Sequence, residues 1–251
     1  MHVDLNADVG ESFGPYTIGD DAGLMRSVTS VSVAAGFHGG DPGVLRGTIQ
    51  LARAHGLAVG AHPGFADRQG FGRREFVMSP QDVEDMVLYQ IAAVAGVAAA
   101  EGLRLRHVKP HGALYNMAAR DRRLAEAIVR AVAAFDVSLT LLGLPGSCLL
   151  EAAGAACLAT AAEGFADRAY AADGSLAPRS VPGAVISDDE SAAARTIRMV
   201  KEGVVETLDG TTLRLDVQTV CVHGDTPGAA GLASRVRAGL ESAGILVAAL
   251  G

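Results

Sequence analysis

A chain of 251 residues that is 49% hydrophobic and 20% charged is long enough to close one large core. Its net charge of −7, the lack of any basic run and an aromatic content of 4% without tryptophan argue against a nucleic-acid surface. Three cysteines, Cys148, Cys157 and Cys221, show no metal-type spacing, and the opening MHVDLNADVG has neither the basic nor the apolar region of a signal peptide. The expectation is a cytoplasmic protein with reduced thiols and no membrane role.

Short apolar runs alternate with helical patterns along the chain, the signature of βα units around a parallel sheet. The first strand is predicted at 2–7 and the second at 31–35. Asp41-Pro42 then offers an N-cap followed by proline at the first helical position, and Gly56 closes that helix. The third strand follows at 57–61. Ser79-Pro80 opens the next helix, with Asp82 at its third position, and Gly102 ends it. Within it, IAAVAGVAAA (91–100) is too short a run to cross a bilayer and reads as a buried helix. Further strands are expected at 104–109, 138–143, 155–160 and 217–222. The segment 170–186 reads as a long loop of the kind that forms lids. Ser187 and Glu190 form a capping box, Asp209-Gly210 marks a β-hairpin insertion near 204–215, and Thr226-Pro227 starts the last helix. No composition shift divides the chain, so residues 1–251 are expected to form one β/α barrel domain. The pentapeptide GFADR occurs at 64–68 and again at 164–168, but the flanks differ, favouring similar loop chemistry over a duplicated unit.

Four of the seven histidines fall just past the C-terminal end of a predicted strand: His38, His62, His111 and His223. In parallel barrels the βα loops converge at that end and carry the active site. The first strand adds Asp4, Asn6 and Asp8 on one face, by the period of two, and Glu11 follows. His107 and Lys109 share a face of the fourth strand. Lys109 is one of two lysines among 21 basic residues, so it stands where this sequence otherwise writes arginine. A buried lysine can both pair with an oxyanion and have its pKa lowered into working range, which suggests a role beside His111. Arg73 and Arg168 are candidate carboxylate clamps, and Asp225 follows His223 in its loop. Neither lysine follows a glycine, which excludes a P-loop; no G-x-S-x-G elbow exists, and no cysteine has an activating neighbour in sequence. The chemistry therefore rests on His, Asp, Glu and Lys.

Taken together, DLNADVGESFG, AAGFHGGDPG, GAHPGFADRQGFGRR, RHVKPHGALYN, FADRAY, PRSVPGAV and CVHGDTPGA resemble the LamB/YcsF family from Asp4 to about Gly228. Ala7 is a departure, where the family pattern leads one to expect a small residue such as cysteine. The resemblance implies an open seven-stranded β/α barrel of the glycoside hydrolase/deacetylase type. It also implies the role of the A subunit in a prokaryotic 5-oxoprolinase, opening 5-oxoproline to glutamate with ATP and Mg, beside two partner subunits, B and C. Catalytic candidates are then Asp8, His38, His62, Lys109, His111 and His223, with Asn6, Glu11, Arg73, Arg168 and Asp225 around the substrate. Relatives of the fold include metal-dependent deacetylases that use one Asp and two His, and Asp8, His38 and His62 match that type of set. The alternatives are thus a deacetylase-like amidohydrolase and a non-catalytic lactam-binding subunit. The oligomeric state stays open, a homo-oligomer included.

Overall fold

A computed structural model describes residues 1–250 of the chain. Seven parallel strands close into a barrel: β1 (His2–Val9), β2 (Ser30–Ala34), β3 (Ala58–His62), β4 (Leu105–Val108), β5 (Thr140–Gly143), β6 (Thr160–Phe165) and, after an intervening hairpin, β9 (Thr219–His223). The ring is closed rather than open, because β1 pairs with β9 from Asp4↔Thr219 to Asp8↔His223 while also pairing with β2. Below that seam the terminal strand β10 (Leu246–Val247) pairs with His2 and Val3. The hairpin between β6 and β9 consists of β7 (Val204–Glu206) and β8 (Thr212–Arg214).

Helices wrap the barrel. They are α1 (Asp21–Leu24), α2 (Pro42–Ala54), α3 (Pro80–Ala100), α4 (Gly112–Arg120), α5 (Arg122–Phe135), α6 (Cys148–Ala155), α7 (Asp189–Glu202) and α8 (Ala229–Ser242). The caps of α2 and α3 form as the sequence predicts: Asp41 accepts from the amides of Gly43 and Val44, and Ser79 from that of Asp82. Two caps shift. Asp188, not Ser187, caps α7, because starting at Asp189 sets two further acids in the first turn, where the helix dipole favours them. Pro227 lies in a turn that ends in left-handed Gly228, so α8 begins two residues past it. By length and composition α3 is apolar enough to span a membrane, yet it packs on α5 and buries Val83, Val87, Ile91 and Val94 against the barrel.

The barrel wall shows why the sequence alternates as it does. Val3, Leu5, Ala7 and Val9 point outward into the main apolar core, whereas Asp4, Asn6 and Asp8 point inward. The interior is correspondingly polar. Asp4 is held at the bottom by the hydroxyls of Thr29 (2.7 Å), Ser30 (2.8 Å) and Thr219 (2.5 Å). Burial still raises its pKa above the usual carboxylate range.

The sixth strand is displaced from the predicted 155–160 to Thr160–Phe165, since the end of α6 and its following turn occupy the earlier stretch. That shift matters: it brings Glu163 inside the barrel.

Candidate active site

The site grows from the middle of the barrel upward. Lys109, at the end of β4, is only 2% exposed. Its ammonium lies 2.7 Å from Glu163 Oε1, 2.9 Å from Asp8 Oδ1, and 3.0 Å from both Asn6 Oδ1 and Cys221 Sγ. Burial disfavours its charge, but Asp8, Cys221 and Glu163 outweigh that and raise the pKa well above the ordinary lysine value. The sequence-based expectation of a lowered pKa is therefore corrected: Lys109 is a fixed cation. Burial likewise opposes the charge of Asp8, yet His62 and Lys109 hold its carboxyl well below the usual range.

Above this layer the three histidines His38, His62 and His111 come together with Glu11. His62 Nδ1 donates to the carbonyl of Lys109 at 2.7 Å, and His111 Nε2 donates to that of Phe71 at 2.7 Å. Carbonyls only accept, so each ring spends a proton outward and turns its other nitrogen inward. Those inner nitrogens meet at 2.9 Å. His62 Nε2 is also 3.3 Å from Asp8 Oδ2, and His111 Nδ1 is 3.4 Å from Glu11 Oε1. His38 stacks on His111 at 3.7 Å and sets its Nε2 3.1 Å from Glu11 Oε1. Burial, followed by neighbouring histidines, pushes the pKa of His38 and His111 well below the ordinary value, while burial and Asp8 push Glu11 well up. The Phe71 carbonyl is aimed by a strained turn in which Phe71 itself has φ 53°. Gly72 follows at φ 63°, and a Cβ there would lie 2.7 Å from both His111 and His38.

A cavity of about 350 Å³ opens over Asp8, His62, Lys109, His111 and His223. On its wall His223 Nδ1 is bound to both oxygens of Asp167, at 2.9 and 3.0 Å, and the ring stacks on Phe165 at 5.3 Å. That leaves Nε2 as the free nitrogen. Burial opposes the Asp167 charge, but His223 outweighs it and lowers the carboxyl pKa. At the rim Arg73 donates to Asp225 at 2.7 Å. The loop predicted at 170–186 contributes Leu176, Ala177, Pro178 and Arg179 to the wall.

Of the residues chosen from sequence, Asp8, His62, Lys109, His111, His223, Arg73 and Arg168 line the cavity. Asn6 lies below Lys109, while His38 and Glu11 support the other histidines. Arg168 faces the cavity but its guanidinium is spent on the carbonyls of Ala177 (2.5 Å) and Ala184 (3.4 Å), stapling the loop. Burial, then Arg179, pushes its pKa down to about 10. The sequence reading missed Glu163, Asp167 and the contact of Cys221 with Lys109. Asp167 carried a signal, the repeated GFADR. Cys221 carried none, because its partner is far away in sequence; burial pushes that thiol well up in spite of the lysine.

Three comparisons bear on this geometry. The profile of the LamB/YcsF family matches residues 3–251. The chain is 53% identical over 249 residues to the 5-oxoprolinase A subunit of Thermus thermophilus, covering 99% of this chain and 100% of that one. It is also 53% identical to the 5-oxoprolinase A subunit of Heliobacterium modesticaldum over 249 residues, covering 99% and 98%. The crystal structure of a lactam utilization protein from Thermus thermophilus superposes with a TM-score of 0.94 at 52% identity, covering both chains in full.

Proposed function

Because the chain belongs to the LamB/YcsF family, we propose that it opens the lactam ring of 5-oxoproline to glutamate as the A subunit of an ATP-dependent 5-oxoprolinase. The observation that supports this most is one cavity floored by a fixed cation, Lys109, and walled by a histidine oriented by a carboxylate, His223 with Asp167. A lactam carbonyl is blunted by amide resonance. Transfer of the γ-phosphoryl group of ATP to that oxygen opens the ring carbon to attack by water. The C–N bond then breaks as the nitrogen gains a proton, and a second water hydrolyses the resulting acyl phosphate to the side-chain carboxylate of glutamate and inorganic phosphate. Lys109 stabilises negative charge on the reacting oxygen, and His223 moves the proton through Nε2. ATP with Mg is handled at least partly by the two partner subunits, B and C, since neither lysine of this chain belongs to a P-loop. The test is 5-oxoproline-dependent ATP hydrolysis by the purified chain with and without those partners. Turnover at ordinary rates, roughly 1–1000 per second, by the chain alone would overturn the proposed division of labour.

A second reading is favoured by the inner nitrogens of His62 and His111. With their outer nitrogens donating to carbonyls, two neutral rings would turn lone pairs toward each other and toward Asp8 and Glu11, a clash that a shared proton or a bound metal ion would relieve. The donors fit a divalent transition metal, and the set that converges is Glu11, His38, His62 and His111 rather than the expected Asp8, His38 and His62. Such an ion would supply an activated water for amide hydrolysis. Metal analysis of the isolated chain decides: stoichiometric metal lost in His62→Ala and His111→Ala supports the ion, and metal-free protein supports the proton.

A further inference from the structure

Four arginines line the cavity, and three are already committed. Arg73 is bound to Asp225, Arg120 to Glu75, and Arg168 to two loop carbonyls. Arg179 is different. Its Nη2 is shielded from solvent and has no hydrogen-bond partner among the described residues. The nearest carboxylate oxygen, Asp225 Oδ1, is 3.7 Å away, and Asp225 already receives Arg73. A shielded guanidinium nitrogen without an acceptor is costly in a folded protein, which leaves this one awaiting an acceptor that the described residues do not provide.

We infer that Arg179 is the specificity-determining residue that pairs with the carboxylate of the lactam substrate. The inference rests on the 5-oxoproline reading. Its planar fork matches a carboxylate, whereas Lys109 lies at the floor among Asp8 and Glu163, on the side assigned to the ring oxygen. The position is held firmly: Arg168 fixes the backbone at Ala177, two residues before Arg179, and Pro178 lies between. Arg73, aimed by Asp225, adds a second positive charge to the same rim. A lactam lacking the carboxylate would leave Arg179 Nη2 without an acceptor, and discrimination against it follows.

The test uses the assembled enzyme with saturating ATP and compares wild type with Arg179→Ala, Arg179→Gln and Arg179→Lys. Loss of a shielded charge pair raises KM for 5-oxoproline on the order of thirtyfold or more, with kcat within about fivefold, and Arg179→Lys recovers part of the loss. A KM within about threefold of wild type in both neutral variants overturns the inference. So does a fall in kcat at unchanged KM, which would assign Arg179 to a phosphoryl group formed after binding. If the wild-type complex does not turn over 5-oxoproline, the functional reading falls and this inference with it.

Discussion

The two copies of GFADR put the same five residues to parallel use on opposite sides of the barrel. In both, the phenylalanine is buried, Phe65 at 1% and Phe165 at 2% exposure, and the aspartate fixes a neighbour. Asp67 caps the amide of Gly70 and holds Arg74; Asp167 accepts from the amide and ring of His223. In both, the arginine ties down a loop through main-chain carbonyls. Arg68 reaches those of Gly36 and Gly40, bracketing His38, and Arg168 those of Ala177 and Ala184. The difference lies in what the aspartate holds. The first copy grips an arginine at the surface; the second grips a histidine in the cavity. A stapling device becomes chemical when its acceptor meets a titratable partner inside the site.

That contrast can be broken most forcefully at the aspartates. Asp167→Asn removes the charge that orients His223 and is expected to lower kcat about a hundredfold or more in the assembled enzyme. Asp67→Asn is expected to stay within about threefold. Equal losses would mean that both copies are purely structural. The arginines come next: Arg168→Ala, which strips buried charged hydrogen bonds, should cost about 2–3 kcal/mol in denaturant unfolding, against about 1 kcal/mol or less for the exposed bonds of Arg68→Ala.

The glycines give a smaller difference. A Cβ at Gly64 would lie 2.6 Å from His38 Nδ1, a ring fixed between Glu11 and His111. At Gly164 it would press into Met199 Sδ, on a chain with three rotatable bonds that can swing aside. Gly64→Ala should therefore cost about 1–3 kcal/mol and Gly164→Ala less than about 1 kcal/mol. The smallest effect is on acid stability. Asp67 titrates below the usual range through its bond to Arg74, and Asp167 does so because His223 outweighs burial. A depressed folded pKa contributes stability that is present above the unfolded value of about 3.9 and lost as pH falls through the folded one. Each Asp→Asn change should flatten the slope of unfolding free energy below about pH 4 by up to one proton, measured by urea melts across that range.

The sequence made the barrel legible because its polar and apolar residues alternate in β1 and its histidines follow strand ends. The four strand-end histidines sit where that pattern points, around the top of the barrel. Reading failed where side chains carry little information. Alanine fits helix and strand alike, so AACLAT was read as a strand although it spans the helix end and turn before TAAEGF. Glu163 was thereby left outside the barrel. Tautomers were equally hidden, because they depend on main-chain carbonyls of Lys109 and Phe71 rather than on neighbours in sequence. An arginine spent on carbonyls and one that keeps a nitrogen without a hydrogen bond look identical in a string of letters; the loop carbonyls at Ala177 and Ala184 separate Arg168 from Arg179.

The seam between β1 and β9 sets a schedule for biosynthesis. The first strand leaves the ribosome early, yet its partners on one side are Thr219–His223 and Leu246–Val247. At about 5–20 residues per second, β1 waits on the order of ten to fifty seconds before that side can be satisfied. During the wait it has β2 alone, and the carboxylates of Asp4 and Asp8 remain hydrated. The two acids that the finished barrel buries thus act earlier as charges on an open edge, where they discourage the nascent strand from pairing with another chain.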